Sequence, residues 1–377
     1  MAIRVCPRVA FPSRTDDGRA LRPPARPWGG AAVLTRVLVT GSSGMLGTAL
    51  VERLARDGCE TVGLDLVHPA DSPLSRRVRG DVRDPDAVRR AARGVDLVVH
   101  SASALPSYSA RQIDSIVVGG TRTVLAEARR LDVPRVVHVS TSAVYGLPKQ
   151  VPTPETQPRR PVDAYGRAKT RAEETAEEFR AAGMVVPVLR PKTFVGPGRL
   201  GIFAMLFEWA EEGRHFPVLG RGDHLNQMLD VEDLVDVVLL AGTLPDEVVN
   251  TEFNVGAAEF GTLREDFQAV LDAAGRGRRV VSLPMRPTVA ALELLARAGI
   301  SPVYRRLIHK LCADSCLDIR RIRDRLGFTP RYSNREAVLR SFDWWRRLPG
   351  EARPNATGRT SRDPWRQGAL ALAKAAF

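Results

Sequence analysis

A tyrosine and a lysine four residues apart, Tyr165 and Lys169, lie at the start of a predicted helix. Residues i and i+4 share one helix face, where an ammonium group favours phenolate and so lowers the pKa of the phenol. About two dozen residues upstream, a hydroxyl-rich segment ends a predicted strand. There Thr141 would donate a hydrogen bond to a substrate oxygen, and Ser142 is expected to contact the substrate as well. These residues predict that Tyr165 transfers a proton while a carbinol is oxidised or a ketone reduced.

A glycine-rich segment between the first predicted strand and the helix after it is the second candidate site. Gly41 permits a tight turn, Gly44 lets the backbone approach a pyrophosphate, and Gly47 allows the helix to pack closely on the strand. The helix N-terminus, with Met45 and Leu46, supplies N–H donors to anionic phosphate. The segment predicts a dinucleotide site. The alternative is a glycine-rich turn with no ligand.

The second predicted strand ends in Asp65, roughly twenty residues beyond the glycines. A carboxylate there would accept hydrogen bonds from the adenosine ribose and repel a 2′-phosphate, so it predicts NAD rather than NADP. The alternative is an aspartate that only caps a helix. With a nicotinamide cofactor bound, Lys169 could also hold the nicotinamide ribose.

Two later strand ends extend the predicted cofactor site. Asp81 would accept a hydrogen bond from the adenine amino group, with Val82 beneath the ring. Asp81 could instead cap the helix that follows it. The small residues Ser101, Ala102 and Ser103 would let the dinucleotide pass close to the backbone.

The order of predicted elements explains why these residues meet. Short β-branched segments alternate with amphipathic helices up to about residue 195, which implies a parallel sheet covered on both faces. The predicted fold class is α/β, a Rossmann-type doubly wound parallel sheet followed by a smaller mixed, mainly helical C-terminal substrate lobe. The predicted strands are 36–40, 60–65, 96–100, 134–140, 185–190 and 253–255. The predicted helices are 45–57, 84–93, 111–131, 163–182, 201–213, 231–242, 262–274, 286–298, 304–315 and 334–346.

This order divides the chain into four predicted segments. Residues 1–33 hold Pro, Gly and Arg without apolar periodicity and are expected to be a disordered leader. Residues 34–195 form the NAD-binding Rossmann domain, to which later segments could return, and residues 196–348 form the substrate lobe. Residues 349–377 form a basic tail with a short apolar helix. That helix could dock on its own domain or make a weak contact with a membrane surface or a partner.

Composition predicts a globular protein without nucleic-acid binding. Of 377 residues, 44% are apolar and 26% are charged, which suffices for a large core. The formal net charge is +13, but residues 1–33 carry +4 and residues 331–377 carry +6, so the body between them holds only +3. Basic ends on a nearly neutral body do not predict a nucleic-acid partner. Without a signal-like leader or a long apolar run, the expected compartment is the cytoplasm.

The cysteines and histidines predict neither a disulfide framework nor a metal site. The four cysteines, which include Cys6 and Cys59, are scattered, as is typical of reduced thiols. His309, Cys312 and Cys316 share a predicted helix face, but the first and last would be about 10 Å apart along the axis, too far for one tetrahedral ion. In the predicted strands, His100 and His138 are expected to pack rather than to catalyse.

Together the motifs resemble the extended short-chain dehydrogenase/reductases, the NAD-dependent epimerase/dehydratase family, over roughly residues 35–348. The resemblance implies a bound nicotinamide cofactor, a small-molecule substrate in the C-terminal lobe and a homodimer formed through a four-helix contact. It also implies that Lys192 and Thr193 lie near the nicotinamide. The motifs that carry it are 40–47, Asp65, 81–82, Thr141, Tyr165, Lys169, 189–198, 229–234, 253–256 and 326–330.

Departures from the family pattern narrow the function. In family members that dehydrate sugars, Asp-Glu follows the catalytic threonine, whereas here Ser142 and Ala143 follow, and neither transfers protons in that way. Sugar-nucleotide decarboxylases carry a glutamate where Ala143 stands. Simple oxidation or reduction of a carbinol remains, as in 4-epimerases and ketoreductases.

Two further departures remain, and the first concerns the substrate. Asn226 is expected to contact the substrate where many sugar-nucleotide enzymes place an arginine on the diphosphate, and an amide cannot neutralise that charge. Arg199 or Arg221 could supply the charge, or both could be surface residues. Val117 stands where the family usually has asparagine.

The sequence therefore predicts an NAD-dependent epimerase or ketoreductase for a sugar, nucleotide-linked in the favoured interpretation. Two alternatives stay open. One is a hydroxysteroid-type dehydrogenase for a lipophilic alcohol, which Asn226 and the apolar C-terminal helices suit. The other is a non-catalytic NAD-sensing protein, against which the complete set of Thr141, Tyr165 and Lys169 argues.

Overall fold

A computed structural model describes residues 34–198, 201–297 and 313–348. Parallel strands run through both halves of this part of the chain. They are β1 (Arg36–Thr40), β2 (Glu60–Asp65), β3 (Arg76–Arg79), β4 (Leu97–His100), β5 (Arg135–Val139), β6 (Val188–Pro191), β7 (Phe194–Val195), β8 (Phe216–Leu219), β9 (Leu229–Asp230), β10 (Glu252–Val255) and β11 (Val280–Leu283).

Helices separate most of these strands. They are α1 (Met45–Arg56), α2 (Pro85–Ala92), α3 (Ala110–Asp114), α4 (Gly120–Arg130), α5 (Ala164–Ala181), α6 (Ile202–Glu211), α7 (Val231–Thr243), α8 (Asp246–Val249), α9 (Leu263–Ala273), α10 (Met285–Arg297), α11 (Arg320–Leu326) and α12 (Asn334–Arg347). A π-helical turn (Ser115–Gly119) joins α3 to α4, and a 3-10 turn (Ser142–Tyr145) follows β5.

Seven strands form one parallel sheet in the order β10-β6-β5-β4-β1-β2-β3. The order reverses at β1, which pairs with β2 on one side and with β4 on the other. In such sheets, the crevice outside the carboxyl ends of the strands at this reversal is where ligands bind. The predicted doubly wound parallel sheet is confirmed.

Apolar side chains cover both faces of the sheet. On one face, Leu50 of α1 and Val235 of α7 pack in the same cluster as Val37 and Val99 of the strands. On the other face, helices α2, α4 and α5 cover β1, β2, β4 and β5. Burial on both faces explains why β4 and β5 read as nearly continuous apolar segments rather than alternating ones.

The second half of the chain contributes to the sheet and also forms a lobe of its own. Edge strand β10 pairs with β6, with Phe253 beside Leu189. Helix α7 lies against α1, where Arg53 and Asp236 form an ion pair of 2.6 Å. The lobe has a separate aromatic core, in which Phe207 contacts Phe342 and Trp345.

The single helix predicted over 111–131 is confirmed, because residues 110–130 are continuously helical through α3, the π-helical turn and α4, although the π turn itself was not predicted. Two adjacent glycines, Gly119 and Gly120, lower the helix propensity at this point. Gly120 also packs so closely on Val82 that a Cβ would come within 2.8 Å of it. Within the π turn, the buried Val117 accepts a hydrogen bond on its carbonyl from the Thr121 hydroxyl, at 2.6 Å.

The sequence did not predict the edge strand β3, since Arg-Arg-Val-Arg carries only one apolar residue. The short lobe strands β7, β8, β9 and β11 were missed as well. The predicted helix 304–315 is wrong at its end, because residues 313–315 are not helical, and residues 304–312 lie outside the described residues. The predictions for 1–33 and 349–377 also fall outside the described residues.

Two histidines lie side by side beneath the carboxyl edge of the sheet. His100 and His138 are register partners with ring centroids 5.4 Å apart, and both are buried. His100 forms hydrogen bonds with Thr40 and Thr121, whereas neither ring nitrogen of His138 has a partner among the described residues. Burial lowers the pKa of His100 to about 3 and that of His138 well below its usual range, so both rings are neutral.

Replacing His138 with leucine removes two buried polar atoms without partners, so we expect the free energy of unfolding to rise by about 1–3 kcal/mol near neutral pH. The gain should grow below about pH 6.5, because unfolded His138 takes up a proton there while the folded ring stays neutral. Urea unfolding near neutral pH and at about pH 5.5 measures both effects. His100→Leu is the matched control, and it should destabilise because it breaks two hydrogen bonds. A His138→Leu protein that is less stable than the parent at both pH values would contradict the prediction.

Candidate active site

A cavity of about 760 Å³ lies at the carboxyl ends of the sheet strands around the reversal of strand order. It gathers every residue that the sequence predicted for the cofactor: Gly41, Gly44, Met45, Leu46, Gly47, Asp65, Asp81, Val82, Ser101, Ala102, Ser103, Tyr165, Lys169, Lys192 and Thr193. The predicted substrate residues Thr141, Ser142 and Asn226 line the same cavity. Arg199 lies outside the described residues.

The glycine-rich turn leaves no room for side chains. Gly41 has φ +70°, and a Cβ on it would lie 2.8 Å from the Cα atom of Ala102. A Cβ on Gly47 would lie 2.1 Å from the Gly41 carbonyl oxygen. Helix α1 begins at Met45 with no side-chain cap from Gly44 and no acidic residue in its first turn. Its N–H groups are therefore left for an anionic group, and this end of the cavity fits a dinucleotide phosphate.

Asp65 holds the end of β2 against the glycine-rich turn. Its carboxylate accepts hydrogen bonds from the backbone N–H of Ser43 at 2.9 Å and of Leu66 at 2.7 Å. Beside it, Leu66 and Val67 line the cavity although they are 59% and 66% exposed. The sequence reasoning missed this apolar pair, and the only signal was two apolar residues placed directly after a strand end.

At the next strand end, Asp81 is paired with Arg83, a cavity residue that the sequence reasoning also missed. The Arg83 guanidinium donates to both carboxylate oxygens, at 2.9 and 2.6 Å, and it lowers the pKa of Asp81. Arg83 also donates to the Ser115 hydroxyl at 3.1 Å. The N-cap of α2 is Asp84, which accepts from the N–H of Asp86. The alternative of Asp81 as the helix cap is therefore wrong.

Hydrogen bonds beneath the cavity tie the ends of β1 and β4 together. Ser101 donates to the Thr40 carbonyl at 2.7 Å, and the Ala102 N–H donates to the Thr40 hydroxyl at 3.3 Å. Because Thr121 gives its own proton to a helix carbonyl, it accepts from Nε2–H of His100. The other nitrogen, Nδ1, then accepts from Thr40 at 2.8 Å. These bonds fix the tautomer of the neutral ring and hold both strand ends in place.

Lys169 is buried, with an exposed fraction of 3%. Its ammonium donates to the Val139 carbonyl at 2.9 Å. Burial lowers the pKa of Lys169 to about 8, and the nearby Glu173 carboxylate opposes that shift. The side chain is therefore mostly charged at neutral pH and half deprotonated at about pH 8.

Tyr165 and Thr141 line the cavity with Lys169. Helix α5 begins just before Tyr165, because the Asp163 side chain accepts from the N–H of Gly166 at 2.6 Å. The Thr141 hydroxyl oxygen accepts from the N–H of Ala143 at 3.2 Å, so its proton is available for donation. The structure thus places the three predicted catalytic residues around one volume.

The far end of the cavity combines polar and apolar groups from the lobe. Asn226 lies there with its backbone held by Gly261 and Asn334. Lys192 donates to the Ser315 hydroxyl at 2.5 Å. Arg221 lines no part of it, because it pairs with Asp223 at the surface with its side chain 85% exposed. The sequence reasoning missed the apolar residues that line the cavity. Those of the lobe are Phe194, Phe203, Met228, Leu263 and Phe267, and those of the segment between β4 and α4 are Leu105, Pro106, Tyr108 and Ile116.

Within the described residues, no cluster of metal-ligating side chains is present. Cys316 is buried and forms no disulfide within the described residues, and His309 and Cys312 fall outside those residues. Among the helices of the described part, none has both the length and the apolar character needed to cross a bilayer.

Comparison with known proteins gives consistent matches. Residues 37–256 match the sequence model of the family described as NAD dependent epimerase/dehydratase family. An uncharacterized protein of Sinorhizobium fredii is 35% identical over 83% of this chain and 79% of its own length. The UDP-glucose 4-epimerase of Mycolicibacterium smegmatis is 30% identical over 82% of this chain and 98% of its own. The solved structure of MoeE5 with UDP-glucuronic acid and NAD superposes with a TM-score of 0.69, at 25% identity over 83% of this chain and 99% of that one.

We expect Gly47→Ala to weaken NAD binding at least tenfold, because the new Cβ displaces the turn at Gly41 and with it the phosphate end of the cavity. Calorimetric titration with NAD measures the dissociation constant. Gly119→Ala is the matched control, since a Cβ there meets nothing within 4 Å and the residue is helical. Equal NAD affinity in the two variants would show that the turn does not form the phosphate site.

Proposed function

The chain belongs to the NAD-dependent epimerase/dehydratase family, and on that premise we propose that it interconverts a carbinol and a ketone on a nucleotide-linked sugar, as a 4-epimerase or ketoreductase. One observation carries this proposal. Thr141, Tyr165 and the buried Lys169 face the same cavity as the glycine-rich turn at Gly41. A proton-transfer set and a dinucleotide site that share one volume suit hydride transfer with acid/base assistance.

The proposed cofactor site runs from the glycine-rich turn to the catalytic set. When bound, NAD would accept the hydride that leaves the substrate carbon as the carbinol is oxidised. The N-terminus of α1 would bind the pyrophosphate, Asp65 the adenosine ribose, Asp81 and Val82 the adenine, and Lys169 the nicotinamide ribose. Ser101, Ala102 and Ser103 would border the dinucleotide, and Lys192 and Thr193 would lie at its nicotinamide end.

In the proposed reaction, Tyr165 exchanges a proton with the substrate oxygen while Thr141 donates a hydrogen bond to it. The charged Lys169 favours the phenolate form of Tyr165, and this help fades as the pH rises beyond about 8, where Lys169 loses its proton. Ser142 and Ala143 offer no group for a second proton transfer, which supports simple oxidation or reduction over dehydration.

For the substrate, the relatives favour a nucleotide sugar. The M. smegmatis relative is named UDP-glucose 4-epimerase, and MoeE5 was solved with UDP-glucuronic acid. Asn226, Thr141 and Ser142 would contact the substrate, and Lys192 is a cationic group in the same cavity. The apolar wall around Phe267 favours a second candidate, a lipophilic alcohol, as in a hydroxysteroid-type dehydrogenase.

A screen separates these candidates. With NAD present, thermal unfolding is followed while UDP-sugars, dTDP-sugars or sterols are added at equal concentration, and the ligands that stabilise are tested for turnover. A nucleotide sugar that raises the unfolding temperature and is epimerised or reduced supports the proposal. Stabilisation and turnover by sterols alone would contradict it and favour the second candidate.

The proposed role of Asp65 predicts tighter binding of NAD than of NADP, because its carboxylate repels a 2′-phosphate. We expect at least a tenfold difference in dissociation constants, and we expect Asp65→Asn to narrow it. Calorimetric titrations with the two dinucleotides measure the ratio in parent and variant. Equal binding of NAD and NADP by the parent chain would overturn the assignment.

The proposed chemistry predicts three different losses once a substrate is found. Tyr165→Phe should keep NAD affinity while kcat falls about 10²–10⁴-fold, as is typical of a lost acid/base. Thr141→Val should lower kcat with little effect on NAD affinity. Lys169→Met should reduce both, since Lys169 acts on Tyr165 and on the ribose. Steady-state kinetics and NAD titrations measure the pattern, and near-normal turnover by Tyr165→Phe would refute the mechanism.

A further inference from the structure

The end of β5 and the residue that follows it are bonded to helix α5. The Lys169 ammonium donates to the carbonyl of Val139 at 2.9 Å. One turn further along the helix, the Glu173 carboxylate accepts from the Ser140 hydroxyl at 2.5 Å. The next residue is Thr141, whose side chain lines the cavity. The last residue of β5 and the residue after it are thus held by two consecutive turns of the helix, directly before the proposed catalytic threonine.

Glu173 is anchored from the opposite side by arginines. Arg190 of β6 donates to its carboxylate through Nε at 3.0 and 3.1 Å and through Nη2 at 2.6 Å, and Arg159 adds a bond of 3.2 Å. Glu173 is 1% exposed and Arg190 is 4% exposed. A carboxylate held by several charge-assisted bonds has a fixed position, and it transmits that position to Ser140.

Arg190 extends the same network toward the chain's second half. Its Nη1 donates to the Tyr145 hydroxyl at 2.9 Å, and Tyr145 donates to the Asn254 side chain at 2.8 Å. Asn254 belongs to β10, and its N–H donates to the Glu155 carboxylate at 2.9 Å. Glu173 is therefore the end of a buried polar network that faces the catalytic set.

Among the titratable groups around Lys169, Glu173 is the negative charge that raises its pKa. Tyr165 and Glu173 lie on the same helix as Lys169. His100 of β4 and His138 of β5 are its titratable neighbours from the sheet. Both histidines are neutral because burial lowers their pKa values. Burial lowers the pKa of Lys169 to about 8 as well, and among these neighbours Glu173 raises it.

We propose that Glu173 is a positioning residue of this site, which fixes Thr141 relative to Tyr165 through Ser140 and places a buried carboxylate one helical turn from Lys169. The proposal deepens the proposed function and rests on it for the roles of Thr141, Tyr165 and Lys169. Glu173 itself lines no part of the described cavity, so it acts through its neighbours.

The electrostatic part can be tested without any substrate. The chain has five lysines, so isotope labelling of lysine side chains allows the ammonium of Lys169 to be titrated by NMR, with its signal assigned from Lys169→Met. Glu173→Gln should lower the pKa of the Lys169 ammonium relative to the parent chain, because the ammonium loses a neighbouring buried negative charge. An unchanged titration would overturn the proposal.

Glu127 supplies a matched control for the loss of a buried ion pair. It is 8% exposed and accepts from Nε and Nη2 of Arg89 at 2.8 and 3.0 Å, in the same two-pronged arrangement as the pair of Glu173 and Arg190. Glu127→Gln should lower the folding stability, as Glu173→Gln should, but it should leave the pKa of Lys169 unchanged. An equal shift in both variants would show a general effect of lost stability and contradict the proposal.

Two further variants keep the test decisive if Glu173→Gln does not fold. The double variant Glu173→Gln with Arg190→Met removes both buried charges, which costs far less folding stability than removing one of them. It should still lower the pKa of Lys169. Ser140→Ala leaves the ion pair intact and cuts only the bond to the strand. It should lower kcat about tenfold with KM and NAD affinity unchanged.

The outcomes separate this proposal from the proposed function. If no nucleotide sugar is turned over but Glu173→Gln lowers the pKa of Lys169, the proposed function is refuted. The electrostatic effect of Glu173 on Lys169 then still stands. Turnover by Ser140→Ala at the parent rate would instead refute the positioning role while the proposed function stands.

Discussion

The close contact between Gly47 and the turn at Gly41 is the constraint on which the rest of the architecture depends. Because neither position has room for a Cβ, α1 begins directly after β1 and packs along it. The helix N-terminus then stands where the strand order reverses, and the ends of β4, β5 and β6 close around the same cavity. Residues as distant in the chain as Gly41 and Phe267 thereby face one volume.

The parts of the site that the sequence predicted are those defined by local structure. Gly41, Asp65 and Thr141 each follow a predicted strand, and Tyr165 opens a predicted helix, so periodicity and motif locate them. The apolar wall is different, because α6, α9 and the segment before β9 meet only in the folded lobe. Nothing in the local sequence separates Phe267, which lines the cavity, from Phe207 in the lobe core. The π-helical turn escaped prediction for a related reason, since Gly120, which directly follows it, packs closely on Val82 from a separate part of the chain.

Burial lowers the pKa of Lys169, the lysine proposed for catalysis, and also makes its charged form costly to keep. An ammonium group removed from water loses hydration, and this loss lowers the pKa of Lys169 to about 8. The Val139 carbonyl and the Glu173 carboxylate return part of that stabilisation, and they do so from the strand and the helix that carry Thr141 and Tyr165. The interactions that keep the lysine charged are therefore also the ones that assemble the site.

The position of β10 has a consequence for the order of events during synthesis. This strand completes the sheet from the second half of the chain, where it pairs with β6 and brings Phe253 into the core. Until about residue 255 has left the ribosome, the nascent chain presents β6 as an open edge, with its backbone N–H and C=O groups and the apolar side of Leu189 uncovered. The first half of the chain is thus synthesised before the strand that covers its edge, and an uncovered strand edge can pair with other chains.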